Sequence, residues 1–83
     1  MHTTEWDVRL FFEEDDDHTH AKAVLRTRQG DTLHAEGSAR RNPVDRPVPE
    51  IGEELAAARA LHTLAAKLTD SAVADIAGMT QPA

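Results

Sequence analysis

The sequence predicts an α+β fold: a three-stranded antiparallel β-meander covered on one face by a long C-terminal helix, then a short second helix (β-β-β-α-α). Three observations predict it. Apolar and polar positions alternate in three short segments of the first half. Turn-forming residues separate those segments. Beyond a proline-paced loop the chain becomes alanine-rich and changes to a helical period. At 83 residues the chain makes one domain, 1–83, with a core of about 5–77 and a frayed tail at 78–83.

The first strand is expected over Glu5 to Glu13. Trp6, Val8, Leu10 and Phe12 share one face, and Asp7, Arg9 and Phe11 the other. Five acids, Glu13 to Asp17, repel one another and favour a solvated turn. Alternation resumes over Thr19 to Arg28, with Ala21, Ala23, Leu25 and Thr27 opposing Lys22, Val24, Arg26 and Arg28. Gln29-Gly30-Asp31 is a turn in which Gly30 supplies a positive φ. In the third strand Leu33, Ala35, Gly37 and Ala39 oppose His34, Glu36, Ser38 and Arg40. Gly and Ala are poor strand formers, and their use here is to admit a helix close to the sheet.

Asn42-Pro43 and Arg46-Pro47-Val48-Pro49 form a loop, and the helix is expected to start near Pro49, because proline suits the first helical position. Glu50, Glu53 and Glu54 complement the positive end of the helix dipole. Ile51, Leu55, Ala58, Leu61, His62, Ala65 and Leu68 recur at helical spacing and are expected to cover the sheet. Thr69-Asp70-Ser71 offers caps for a second helix over Ser71 to Ala77, ended by Gly78.

A domain this short has a thin core. There are no cysteines, which removes disulfides and thiolate metal sites and fits a reducing compartment. Extra burial is then expected from a homodimer. The sheet face away from the helix carries Phe11 and Val24, and both edges of a meander invite pairing. Trp6, Phe11 and Val24 are the candidate dimer contacts. A net charge of −6 disfavours generic binding of polyanions. No transmembrane run and no signal peptide is read from the sequence, and a soluble, cytoplasmic protein is expected.

Asp15-Asp16-Asp17-His18-Thr19-His20 carries metal-ligand residue types but lacks calcium-loop spacing, so a solvated hairpin turn is the reading and no metal site is assigned. Arg40, Arg41, Arg46 and Arg59 admit two readings: an anion site near the helix start, or pairing with Asp45, Glu50, Glu53 or Glu54 to fix the loop. The second is favoured because the surrounding acids offset the positive field. His62, near the centre of the apolar stripe, reads as a packed histidine. Trp6 reads as a plug at the sheet edge rather than a base-stacking platform. No nucleophile motif or phosphate-cradling loop is present, so no catalytic residue, cofactor or small-molecule substrate is assigned and the protein is expected not to be an enzyme.

The run Ala39-Arg40-Arg41-Asn42-Pro43, with Asp45-Arg46, Val48-Pro49-Glu50-Ile51-Gly52, Glu54-Leu55 and Ala58-Arg59-Ala60-Leu61, resembles the signature of a family of small, mostly actinobacterial proteins of unknown function. The resemblance extends to Trp6-Asp7-Val8 and Thr19-His20-Ala21-Lys22-Ala23 and covers roughly residues 6 to 68. That family is described as having a double-stranded-RNA-binding-domain-like (dsRBD-like) fold. The resemblance implies a β-β-β-α core, a homodimer, a likeness in shape to ribosome hibernation factors and no enzymatic activity. It implies an interaction or regulatory module with a stress- or dormancy-linked ribosome association, or, as the alternative, direct RNA binding. Arg26, Arg28, Arg40, Arg41 and Arg46 are the candidate partner or anion contacts. The chain departs from true double-stranded-RNA binders in lacking a helix before the first strand. It also places Glu50, Glu53 and Glu54 where those binders are basic.

Overall fold

The computed structural model describes residues 1–42 and 44–80. Three strands, β1 (Asp7–Glu14), β2 (His18–Arg26) and β3 (Thr32–Arg40), are followed by one helix, α1 (Pro49–Thr80). The strands form an antiparallel sheet in the order β1-β2-β3. Register pairs Val8 with Leu25, Ala23 with Ala35, and Ala21 with both Phe12 and Gly37. Each face is therefore fixed by alternation along the strands, as the sequence pattern requires.

The turns follow from their side chains. Between β1 and β2, the Asp15 carboxylate accepts from the His18 backbone N–H at 3.1 Å, and the Asp15 N–H donates to the His18 carbonyl at 3.0 Å. Between β2 and β3, Gly30 takes φ +88°, and its N–H donates to the Thr27 carbonyl at 3.0 Å.

The helix lies antiparallel to β3 and covers β3 and β2. Among the described residues the core comprises Ala21, Ala23, Leu25, Ala35 and Ala39 of the sheet with Ala56, Ala60 and Leu64 of the helix. Six alanines in that set mean that the two layers touch nearly backbone to backbone. A Cβ at Gly37 would collide with the Ala60 backbone nitrogen and sit 2.7 Å from the Ala56 carbonyl oxygen. The small residues of the third strand thus serve the close approach expected of them. Two cations hold the helix down. Arg59 Nη1 donates to the Ser38 carbonyl and Lys67 Nζ to the His34 carbonyl, both at 2.7 Å. Because β3 is an edge strand, these contacts engage acceptors that an incoming strand would otherwise use.

Three expectations for the helical half are corrected. No second helix forms, because α1 continues through Thr69, Asp70 and Ser71. The Thr69 hydroxyl, expected to cap, donates instead to the Ala65 carbonyl one turn back. Gly78 does not end the helix, which reaches Thr80; the rest of the expected frayed tail lies outside the described residues. The stripe facing the sheet is also not the expected one. Ala56, Ala60 and Leu64, with Leu68 partly buried, face the strands. Ile51, Leu55, Ala58, Leu61, His62 and Ala65 are exposed. A helix touching a sheet nearly backbone to backbone buries its small residues, so the larger ones turn away from it. His62 consequently sits in solvent and is not a packed core histidine.

Candidate functional site

The five candidate arginines divide between the two ends of the sheet. Arg40, Arg41 and Arg46 meet at the end where β3 leaves the sheet, around a cavity of about 450 Å³ floored by Val48, Ile51 and Leu55 and facing the acidic β1–β2 turn. Arg41 builds this corner. Its backbone N–H donates to the Asp17 carbonyl at 2.7 Å, and its Nη1 donates to the Asp45 carbonyl at 2.7 Å and the Asn42 carbonyl at 3.4 Å. The Asn42 side chain accepts from the Val44 N–H at 3.2 Å. Arg41 thus ties the loop together through the backbone carbonyls of Asp45 and Asn42. The Val48 carbonyl accepts from the Ile51 N–H at 3.1 Å and leads into α1, which begins at Pro49. The acids of this corner leave a mixed field rather than a cationic one.

Arg28 lies at the opposite end, beside a second cavity of about 480 Å³ shared with Trp6, Leu33, Leu68 and Asp75. Trp6 is 53% exposed there, on the helix side of the sheet. Phe11 and Val24 lie on the other side, diagonal to each other across the β1–β2 register. The three candidate dimer contacts therefore do not form one patch.

That other side is the surface sequence reasoning did not assemble. No described element covers it. Alternation and register place Arg9, Lys22, Arg26 and Arg40 on it with His18, His20 and His34, and only Asp7, Glu13 and Glu36 as carboxylates. Four cations against three carboxylates give a net +1, which leaves −7 for the remainder of a chain of net −6. Phe11, 52% exposed, and half-buried Val24 form an apolar centre inside the polar ring. His20 Nε2 lies 3.0 Å from Glu36 Oε1, an ion pair when the imidazole is protonated. The signal lies in the sequence, since every second residue of each strand lands here, and the pairing register is what joins the three strands' polar faces into one surface.

Among the described residues no group of His, Cys, Asp and Glu side chains is arranged to hold a metal, and no helix is long and apolar enough to cross a membrane.

Comparison with known proteins agrees with this architecture. The crystal structure of Rv2632c superposes with a TM-score of 0.88 at 40% identity, covering 99% of this chain and 98% of that one. The uncharacterized protein Mb1767 of Mycobacterium bovis is 46% identical over 79 residues, 94% of this chain and 83% of its own length. The uncharacterized protein Rv2632c of Mycobacterium tuberculosis is 42% identical over 73 residues, 88% of this chain and 77% of its own length. The Rv2632c-like family pattern matches residues 4–83, and the chain belongs to that family.

Proposed function

We propose that this protein is a non-enzymatic interaction module whose uncovered sheet face engages RNA phosphates, in its most concrete form on the ribosome during stress or dormancy. The observation that carries the reading is the segregation of charge: a locally cationic face on a strongly acidic chain. Net charge alone opposes polyanion binding, but a phosphate surface meets the face turned toward it and not the average. The resemblance to a family described as dsRBD-like supports the reading only as an outline. Glu50 and Glu54 are exposed at the start of α1, so the helix terminus that true double-stranded-RNA binders use is closed to phosphate here. The sheet face is the alternative route.

Co-sedimentation with ribosomes from stressed and growing cells tests this. Binding is expected at low salt, with affinity falling on the order of 100-fold between about 50 and 200 mM salt if four cations contact phosphate. It should be lost in Arg26→Glu and Arg40→Glu. Absence of binding at low salt from both cell states, or binding indifferent to both charge reversals, sinks the proposal. Direct binding of RNA outside the ribosome is the second reading, favoured by exposed Phe11 directly across from Lys22, an aromatic able to stack a base beside a cation. Titration with single-stranded and duplex RNA separates it from the first.

A further inference from the structure

β1 is the strand that the helix leaves out. α1 packs on β3 and β2, and every residue of β1 except half-buried Leu10 is exposed. Register nevertheless puts Val8, Leu10 and Phe12 on the core side, opposite Leu25, Ala23 and Ala21. Trp6 extends that row, since it shares a cavity with Leu68 and Asp75 of the helix. Trp6 is 53% exposed, Val8 47% and Phe12 37%. The helix does not shift across to cover them, because Arg59 and Lys67 hold it to the Ser38 and His34 carbonyls of β3.

The helix supplies a second wall. Glu54, Leu61, Leu68 and Asp75 recur every seven residues, about two turns apart, and so lie along one line of α1. Leu68 and Asp75 line the Trp6 cavity, which turns that line toward β1. Leu61 is 39% exposed and Leu68 half-buried. Between this line and β1 runs an apolar trough about 27 Å long, the length of an eight-residue strand.

We propose that the trough docks an amphipathic helix of a partner protein, apolar along one side and flanked by Lys and Arg. The spacing suits a helix. An axis above the space between β3 and β2 lies about 7 Å from β1, at about 4.8 Å per strand. A neighbouring helix packs about 8–10 Å away, so its axis falls over β1 or just outside it. The charge suits a basic one. Glu14 and Glu54 mark one end of the trough. Asp75 and Asp31 mark the other, with Arg28 beside them. Lys and Arg are absent from both walls between these ends. The helix of a second copy is a poor occupant, because α1 carries five carboxylates, Glu50, Glu53, Glu54, Asp70 and Asp75, against Arg59 and Lys67. An anionic lipid surface meets the same repulsion. The proposal does not depend on what the opposite face of the sheet binds.

Trp6 is the single tryptophan of the chain and stands in the trough, so its fluorescence reports occupancy directly. The probe is a peptide of about 18 residues, long enough to fill the trough as a helix, built of Leu on one side and Lys elsewhere. Saturable binding with a blue shift of Trp6 emission is expected. Affinity should fall about tenfold or more in Val8→Glu and in Leu61→Glu. Both side chains are exposed, so unchanged far-UV circular dichroism is expected of both variants. Phe11→Glu, on the open sheet face, should bind like the wild type. A peptide with Glu for Lys, and one with two central prolines that prevent a helix, should each bind about tenfold more weakly or worse. No shift at millimolar peptide, equal binding of either control peptide, or affinity unchanged in both trough variants overturns the proposal. So does a Trp6 shift produced by concentrating the protein alone, which gives the trough to a second copy, or by phosphatidylglycerol vesicles alone, which gives it to lipid.

Discussion

Gly37 shows how much one missing carbon controls. Its place on β3 opposite Ala21 puts it under Ala56 and Ala60 of the helix, with no room for a methyl group. The obstruction is backbone, which cannot rotate away. Gly37→Ala is therefore expected to lower stability by about 3 kcal/mol, read from the urea midpoint. Gly78 faces open space inside the last turns of the helix, so Gly78→Ala should stabilise by about 0.5 kcal/mol through propensity alone. The same substitution thus changes sign with its surroundings; equal effects at both positions would refute the close-approach account. Gly30 and Pro49 were legible in the sequence because their roles are local: a positive φ in a tight turn and a helix start. The need at Gly37 was legible only as a run of small residues, since its cause lies in the helix some twenty residues on.

The strands could be read residue by residue because a period of two leaves only two faces to choose between. The helix could be located but not oriented. Alanine sits equally well inside or outside, so in an alanine-rich helix the larger residues are the ones a sequence pattern assigns to the buried side. Here they mark the bare one, because contact with a sheet of alanines and Gly37 selects Ala56 and Ala60. Leu64 is the large helical side chain fully committed to the core. Leu64→Ala is expected to cost about 2–4 kcal/mol, enough to unfold much of a domain this small. Leu55→Ala, outward-facing, should change the stability of the single chain by less than about 1 kcal/mol. Thermal denaturation of both variants at the lowest workable concentration checks the phase of the helix; a larger loss for Leu55→Ala would reverse it. The continuity of the helix was hidden for a related reason. Thr69, Asp70 and Ser71 are good caps, yet the same hydroxyl chemistry can turn inward, as Thr69 does toward Ala65.

At the scale of the whole molecule the shape is elongated. The radius of gyration is 16.8 Å and the longest dimension 58 Å, where a compact chain of this length is expected near 12 Å in radius. The excess comes from a helix longer than the sheet that supports it, and a core of six alanines and two leucines contributes little burial to offset chain entropy. The candidate surfaces were only half legible in advance: the arginines could be named, but pairing register was needed to show which of them share a face with Lys22 and Phe11. If two copies of the chain associate, as the family resemblance implies, part of the folding free energy resides in association, and stability must then depend on concentration. Raising the protein concentration about 100-fold adds about 1.4 kcal/mol per chain to a folded dimer, which for a domain of this size moves the thermal midpoint by about 5 °C or more. A wild-type midpoint that holds constant across that range would mean that the small alanine core stabilises the fold alone, and that the overhanging helix is kept for a partner other than its own copy.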